Sequence, residues 1–193
     1  MKTTNTNKMI KISLLVAISV VLMYFDFPIL PPFPWLKIDL SEIPALMGGF
    51  AYGPIAGGVI VILKVLLRLL IKGSATGFSG ELANIVVGLA LVVPAAYIYH
   101  RNKSKKTAIL GMVIGALVMQ VAAIFANIYV FLPLFNMHLE GAALVNYVVV
   151  GIIPFNAIKA FMVSIGTYVL YKRVSLAIFK VDSKFSNNKK QVA

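Results

Sequence analysis

Apolar stretches alternate with polar or proline-rich segments along the whole chain. Residues 12–27 are apolar apart from Ser13, Ser19 and Asp26, and predict a first helix. Residues 28–44 hold five of the nine prolines, which excludes a continuous helix there. Residues 43–52 form a short apolar piece ending at the turn signal Gly53-Pro54. Residues 55–71 predict a third span, and the small-residue loop KGSATGFSG follows at 72–80. Residues 81–99 predict a fourth span, the basic loop HRNKSKK follows at 100–106, and 107–131 predict a fifth. Residues 132–146 read as irregular. A sixth span lies within 148–171 and its regular start is expected near Pro154, because proline suits the first helical turn.

These stretches read as membrane spans. Of the 193 residues, 60% are hydrophobic and only 12% charged, about half the charged share of a soluble domain. The mean hydropathy is +0.92. One small core cannot hide that much apolar surface, and a bilayer is its natural solvent. The first stretch lacks a small-residue cleavage site and reads as a retained span, not a signal peptide. The second is too short: ten residues cover about 15 Å against a hydrocarbon core of roughly 30 Å. The proline-rich loop before it is therefore expected to fold inward, since non-helical backbone at membrane depth must be buried in protein or line a cavity. The expected architecture is an all-α integral membrane protein, a six-helix bundle forming one domain over residues 1–193.

Charge orients the bundle. Eighteen Lys and Arg against six Asp and Glu leave +12. The cations flank apolar runs, which argues for the positive-inside rule and against nucleic acid. With both basic tails (about 1–9 and 180–193) in the cytoplasm, thirteen cations fall inside and only Lys37 and Lys72 outside. Lys64, Arg68 and Lys159 lie within spans. Five of the six acids, Asp26, Asp39, Glu42, Glu81 and Glu140, fall at the outer side. The expected location is the plasma membrane, with both termini cytoplasmic.

Polar residues inside spans cost roughly 2.5–3.5 kcal/mol each near a helix centre, so they need partners or a ligand. Measured from the outer ends, Asn156 lies about 3 Å down, Asn84 and Arg68 about 5 Å, Asn127 about 6 Å, Lys159 about 8 Å and Lys64 about 11 Å. All fall in the outer half, which points to a polar cavity opening outward beneath the proline-rich loop. Asn156 and Lys159 are three apart and share a face. Duller readings stand beside this one. Asn127 can bridge helices, Lys64 and Arg68 can snorkel or pair with Glu81, and Glu81 favours any helix N-terminus. Trp35 reads as an interfacial anchor or a lid aromatic. His100, beside the basic loop, reads as solvated. His138 has no second ligand at metal spacing. Small-residue pairs such as Gly111/Gly115 read as helix packing, while Ser13/Ala17 on the first helix can dock another membrane protein.

No phosphate-binding loop, H-E-x-x-H or G-x-S-x-G motif is present, and no paired acids within a span relay protons. There are no cysteines, which excludes thiolate catalysis and disulfides. The chain is expected to be no enzyme and to need no cofactor. It reads as a ligand-capturing subunit driven by partners, or as a small facilitator.

Four stretches carry a family resemblance: FPWLKIDLSEIPALMGGFAYGP at 33–54, GSATGFSGELAN at 73–84, Ala126-Asn127, and PFNAIK at 154–159. Over about residues 10–179 the chain resembles the substrate-binding S components of energy-coupling factor (ECF) vitamin transporters, most closely their riboflavin-specific branch. The resemblance implies a six-helix bundle, an outward pocket with a first-loop lid, and riboflavin as transported ligand. It also implies membrane lipid as surroundings and a complex with a transmembrane coupling subunit and two ATPase subunits. The family's docking motif on the first helix is Ala-x-x-x-Ala, and the nearest matches here are Ser13/Ala17 and Ala17/Val21. The alternatives are another vitamin, a small intramembrane enzyme, or a purely structural membrane subunit.

Riboflavin chemistry fits the residues. One ring edge alternates carbonyl acceptors with an imide N–H, and Asn amides offer both a donor and an acceptor, so Asn127 and Asn156 match it. Lys159 donates only. Trp35 and Phe33 can cover the apolar ring. Glu81, Asn84 and the backbone of residues 40–45, from Leu40 to Ala45, are candidate partners for the ribityl hydroxyls.

Overall fold

A computed structural model describes residues 2–74 and 77–174, with side chains described over 6–74 and 77–171. The tail at 180–193 lies outside the described residues. The chain runs through α1 (Lys2–Met23), a two-residue hairpin of β1 (Phe27–Pro28) and β2 (Lys37–Ile38), α2 (Glu42–Tyr52), α3 (Pro54–Lys72) and α4 (Ser79–Arg101). It continues through α5 (Lys105–Ala126), a π-helical stretch Asn127–Phe131, α6 (Leu132–Leu134), α7 (Gly141–Asn146), a second π-helical stretch Tyr147–Ile152, and α8 (Ile153–Val174).

Five helical segments among the described residues are long and apolar enough to cross a membrane: Thr6–Met23, Pro54–Lys72, Ser79–Arg101, Lys105–Leu134 and Gly141–Tyr171. Their outward faces carry Ile55, Leu70, Leu117, Phe125 and Phe161, all largely exposed. An apolar exterior of this kind is stable only against lipid.

The short α2 sits at the centre, against α1, α3, α4 and α8. Its residues Glu42 to Phe50 are all buried. At 11 residues it spans about 16 Å. Its C-terminal carbonyls meet a partner that sequence position does not suggest. His100 is not solvated: its Nε2 lies 3.1 Å from the Gly49 carbonyl oxygen and 3.0 Å from that of Phe50. Carbonyls only accept, so Nε2 carries the proton; it serves the Phe50 carbonyl, whose helical donor would be Pro54 with no N–H, and shares the Gly49 carbonyl with the Gly53 N–H.

The α4–α5 contact depends on missing Cβ atoms. A Cβ at Gly115 would lie 2.4 Å from the Leu91 carbonyl oxygen, and one at Gly111 2.6 Å from that of Ala95. The obstacle is backbone, so the helices themselves must move. Gly115→Ala is expected to destabilise the bundle by about 1–3 kcal/mol, read as a lower unfolding midpoint of the detergent-solubilised protein. An unchanged midpoint would show that α4 and α5 are not held at this distance.

The regular α-helix of the last span starts at Ile153, beside Pro154 as expected, but the helical run reaches further back than residue 148. Helical backbone runs from Gly141, and Pro154 is the second residue of α8. A proline ring crowds the carbonyl four residues back, here Val150, which lies in the second π-helical stretch. Pro133 and Tyr129 of the first stretch stand in the same relation. Each widened turn therefore covers the position where a tighter helix would clash.

Candidate functional site

A cavity of about 560 Å³ lies between the hairpin segment and the ends of α3, α4, α5 and α8. Its size falls within the roughly 300–1,000 Å³ of small-molecule sites. Asn84, Asn127, Asn156, Lys159, Glu81 and Trp35, all named from the sequence, line it. Leu36, Val87, Ile152 and Phe155 supply its apolar wall. Leu40 and Ala45 do not line it: Leu40 packs half-buried against the core, and Ala45 is fully buried within it.

The two asparagines with the strongest case are tethered alike. Asn156 Nδ2 donates to the Ile152 carbonyl at 2.9 Å. Asn127 Nδ2 donates to the Ala123 carbonyl at 2.8 Å, and Tyr147 OH donates to Asn127 Oδ1 at 2.9 Å. The Tyr147 ring meets Phe33 edge to face at 5.4 Å. Phe33 in turn lies where a Cβ on Gly151 would come within 3.0 Å of it. Trp35 also meets Phe33 edge to face at 5.7 Å, is hydrogen-bonded through its side chain to Tyr147, and is about half exposed.

Lys159 belongs to a buried ion chain that the sequence reading missed. Its Nζ lies 3.3 Å from Glu42 Oε1 and 3.5 Å from Asp39 Oδ2. Lys64 Nζ lies 2.9 Å from the same Glu42 oxygen and donates to Ser41 Oγ. The Ser41 backbone N–H donates to Asp39 Oδ1 at 2.8 Å. All five residues are at most 3% exposed. Two ammoniums and two carboxylates leave the chain neutral, which is how charges tolerate burial. Burial alone would raise the carboxyl pKa of Asp39, a loop residue. Lys159, Lys64 and the Ser41 hydrogen bonds outweigh it and hold that carboxyl well below the usual range.

The alternative readings of Lys64 and Arg68, snorkelling or pairing with Glu81, are therefore corrected. Lys64 neither snorkels nor meets Glu81; it pairs with Glu42. Arg68 pairs with Asp26 at 2.8 Å, and Lys37 approaches the same carboxylate at 3.8 Å. Glu81 accepts from Ser74 Oγ at 2.9 Å. One signal was available: Lys64 and Lys159 needed buried anions, and Asp39 and Glu42 flank the start of the short helix α2.

On α1, Ser13, Ala17 and Val21 are all exposed, four residues apart on one face. Leu15, Val16, Ser19 and Val20 turn the opposite face into the bundle.

Over residues 7–171 the chain matches the family described as ECF transporter, substrate-specific component. Riboflavin transporter RibU of Staphylococcus aureus (strain TCH60) is 37% identical over 174 residues, covering 87% of this chain and 90% of that protein. Riboflavin transporter FmnP of Bacillus subtilis (strain 168) is 33% identical over 165 residues, covering 82% and 86%. A solved S component of a bacterial ECF transporter matches with a TM-score of 0.77 and 36% identity, covering 89% of this chain and 97% of that one. With the family pattern spanning nearly every described helix, this chain belongs to the substrate-specific components of ECF transporters.

Proposed function

We propose that the chain captures riboflavin and passes it across the membrane with energy from partner subunits. The observation that carries this is the cavity itself: three asparagine amides and the Lys159 ammonium converge on a space with an apolar wall and an aromatic rim. Riboflavin is uncharged, flat and edged with alternating acceptors and a donor. A site rich in amide donors and acceptors suits it. Such a site rejects analogues lacking those groups far better than an apolar slot does. The proposed contacts are Asn127, Asn156, Lys159 and Trp35 for the ring, and Glu81 and Asn84 for the ribityl chain. The names of the relatives support the same ligand.

In this reading α2 counts as a sixth, shortened span, and residues 1–193 act as one domain. The basic termini face the cytoplasm. The proline-rich segment folds over the cavity from outside as a lid, and the half-exposed Trp35 sits at its rim. Ser13, Ala17 and Val21 form the docking face on α1, meeting a transmembrane coupling subunit that two ATPase subunits drive. Small side chains at that spacing allow close helix approach.

Titration of the detergent-solubilised protein with riboflavin is expected to quench flavin fluorescence saturably, and protein purified with ligand bound is expected to be yellow. A colourless protein that leaves flavin emission unchanged but binds another vitamin from a panel would refute the choice of ligand.

A further inference from the structure

We infer that Tyr147 is a positioning residue. It acts through Asn127, turning that amide into an N–H donor toward the cavity and leaving Asn156 as the amide that accepts from the ligand. The inference rests on the flavin reading above.

The amide orientations follow from chemistry. A backbone carbonyl can only accept, so the atom facing the Ala123 carbonyl must be Nδ2 of Asn127. Oδ1 then faces Tyr147, whose hydroxyl donates to it. One Nδ2 hydrogen is spent on Ala123, and the other remains for the cavity that Asn127 lines. Tyr147 does not line the cavity and is 3% exposed; its hydroxyl is hydrogen-bonded to the Trp35 side chain as well as to Asn127, so it reaches a ligand only through these two neighbours. Asn156 shares the backbone tether through Nδ2, yet its Oδ1 has no hydrogen-bond partner among the described residues. The two amides are therefore inequivalent. An imide N–H needs an acceptor, which Asn156 offers, and a neighbouring ring carbonyl needs a donor, which Asn127 offers.

The local backbone supports this arrangement. Asn127 opens one π-helical stretch and Tyr147 opens the other, and π-helical turns often mark functional positions. Phe33, seated against Gly151, meets the Tyr147 ring edge to face from the hairpin side.

The test is a double-mutant cycle on riboflavin affinity with Tyr147→Phe, Asn127→Ala and the double variant, compared at equal far-UV helicity. Tyr147→Phe keeps the ring and its Phe33 contact. It is expected to weaken riboflavin about five- to tenfold, the range for one hydrogen bond. In the Asn127→Ala background the same change is expected to alter affinity by less than about twofold, because the group it positions is gone. A general packing role, or one acting through Trp35, would persist in both backgrounds, so equal effects would overturn the inference, as would no effect of Tyr147→Phe alone. A second variant, Asn127→Asp, keeps an acceptor for Tyr147 but gives up both N–H donors. It is expected to weaken binding by about tenfold or more, and wild-type affinity there would equally overturn the inference. Failure of the unmodified chain to bind riboflavin would overturn the flavin reading and this inference together. Binding with an additive cycle would overturn this inference alone.

Discussion

Replacing Glu42 with Gln is expected to lower the unfolding midpoint more than removing any other charge outside the cavity. Glu42 is fully buried, and a single oxygen of it faces both Lys64 and Lys159. Gln keeps the size and an acceptor but removes the charge that both ammoniums share. Breaking a buried ion pair from one side costs about 3–5 kcal/mol, because the partner charge stays buried without compensation. For a chain of this size that corresponds to a fall on the order of 10 °C. The comparison that isolates the mechanism is Glu42→Gln combined with Lys64→Met. Lys159 retains Asp39 at 3.5 Å, so the double variant loses one cation and one anion together and is expected to be more stable than Glu42→Gln alone. If the two losses simply added, the shared carboxylate would not be what holds these lysines. Arg68→Ala serves as contrast. Its pair with Asp26 is partly solvated, and such pairs contribute about 0–1 kcal/mol.

The same ion chain explains how far a reading of the sequence reaches. Apolar length is a local property, so the third span expected at 55–71 appears as Pro54–Lys72, and the fourth expected at 81–99 as Ser79–Arg101. Depth along a helix is also local, which is why Asn84, Asn127, Asn156 and Lys159 share one level and come to one cavity. Pairing is not local. Glu42 and Lys64 are 22 residues apart, and Asp26 and Arg68 are 42 apart. Which acid meets which base depends on how each helix is rotated about its axis, and composition does not encode that. The assignment of Glu81 to Lys64 or Arg68 failed for this reason. Backbone detail was legible in part: Pro154 marks the start of regular α-helix at Ile153, but a π-helical turn before it lets the helical run extend back to Gly141. Leu40 and Ala45 were chosen for backbone groups near the lid. Ala45 instead faces the core from the first turn of α2.

Loss of the Lys159 ammonium is expected to have the largest effect on riboflavin affinity, and separating its two consequences decides what the residue does. Asn156→Ala sets the scale. It removes an open acceptor and a tethered donor, and is expected to weaken binding about 10- to 100-fold by fluorescence titration. Lys159→Met keeps the aliphatic stem but removes a charged donor, and hydrogen bonds to charged groups contribute about 1.5–3 kcal/mol. It also leaves the Asp39 carboxylate, on the loop before α2, buried with Lys64 as the nearest cation that influences it. A loss of about 100-fold or more is therefore expected, from two sources: a missing ligand contact and a loop no longer anchored to α8. Adding Asp39→Asn to Lys159→Met removes the stranded loop charge without restoring the donor. Recovery of part of the affinity is expected, measuring the loop contribution, while the remaining deficit measures the contact with ligand. Full recovery in the double variant would mean that Lys159 holds the loop and never touches the flavin, and the ring-binding role would then fall to the asparagines and Trp35 alone.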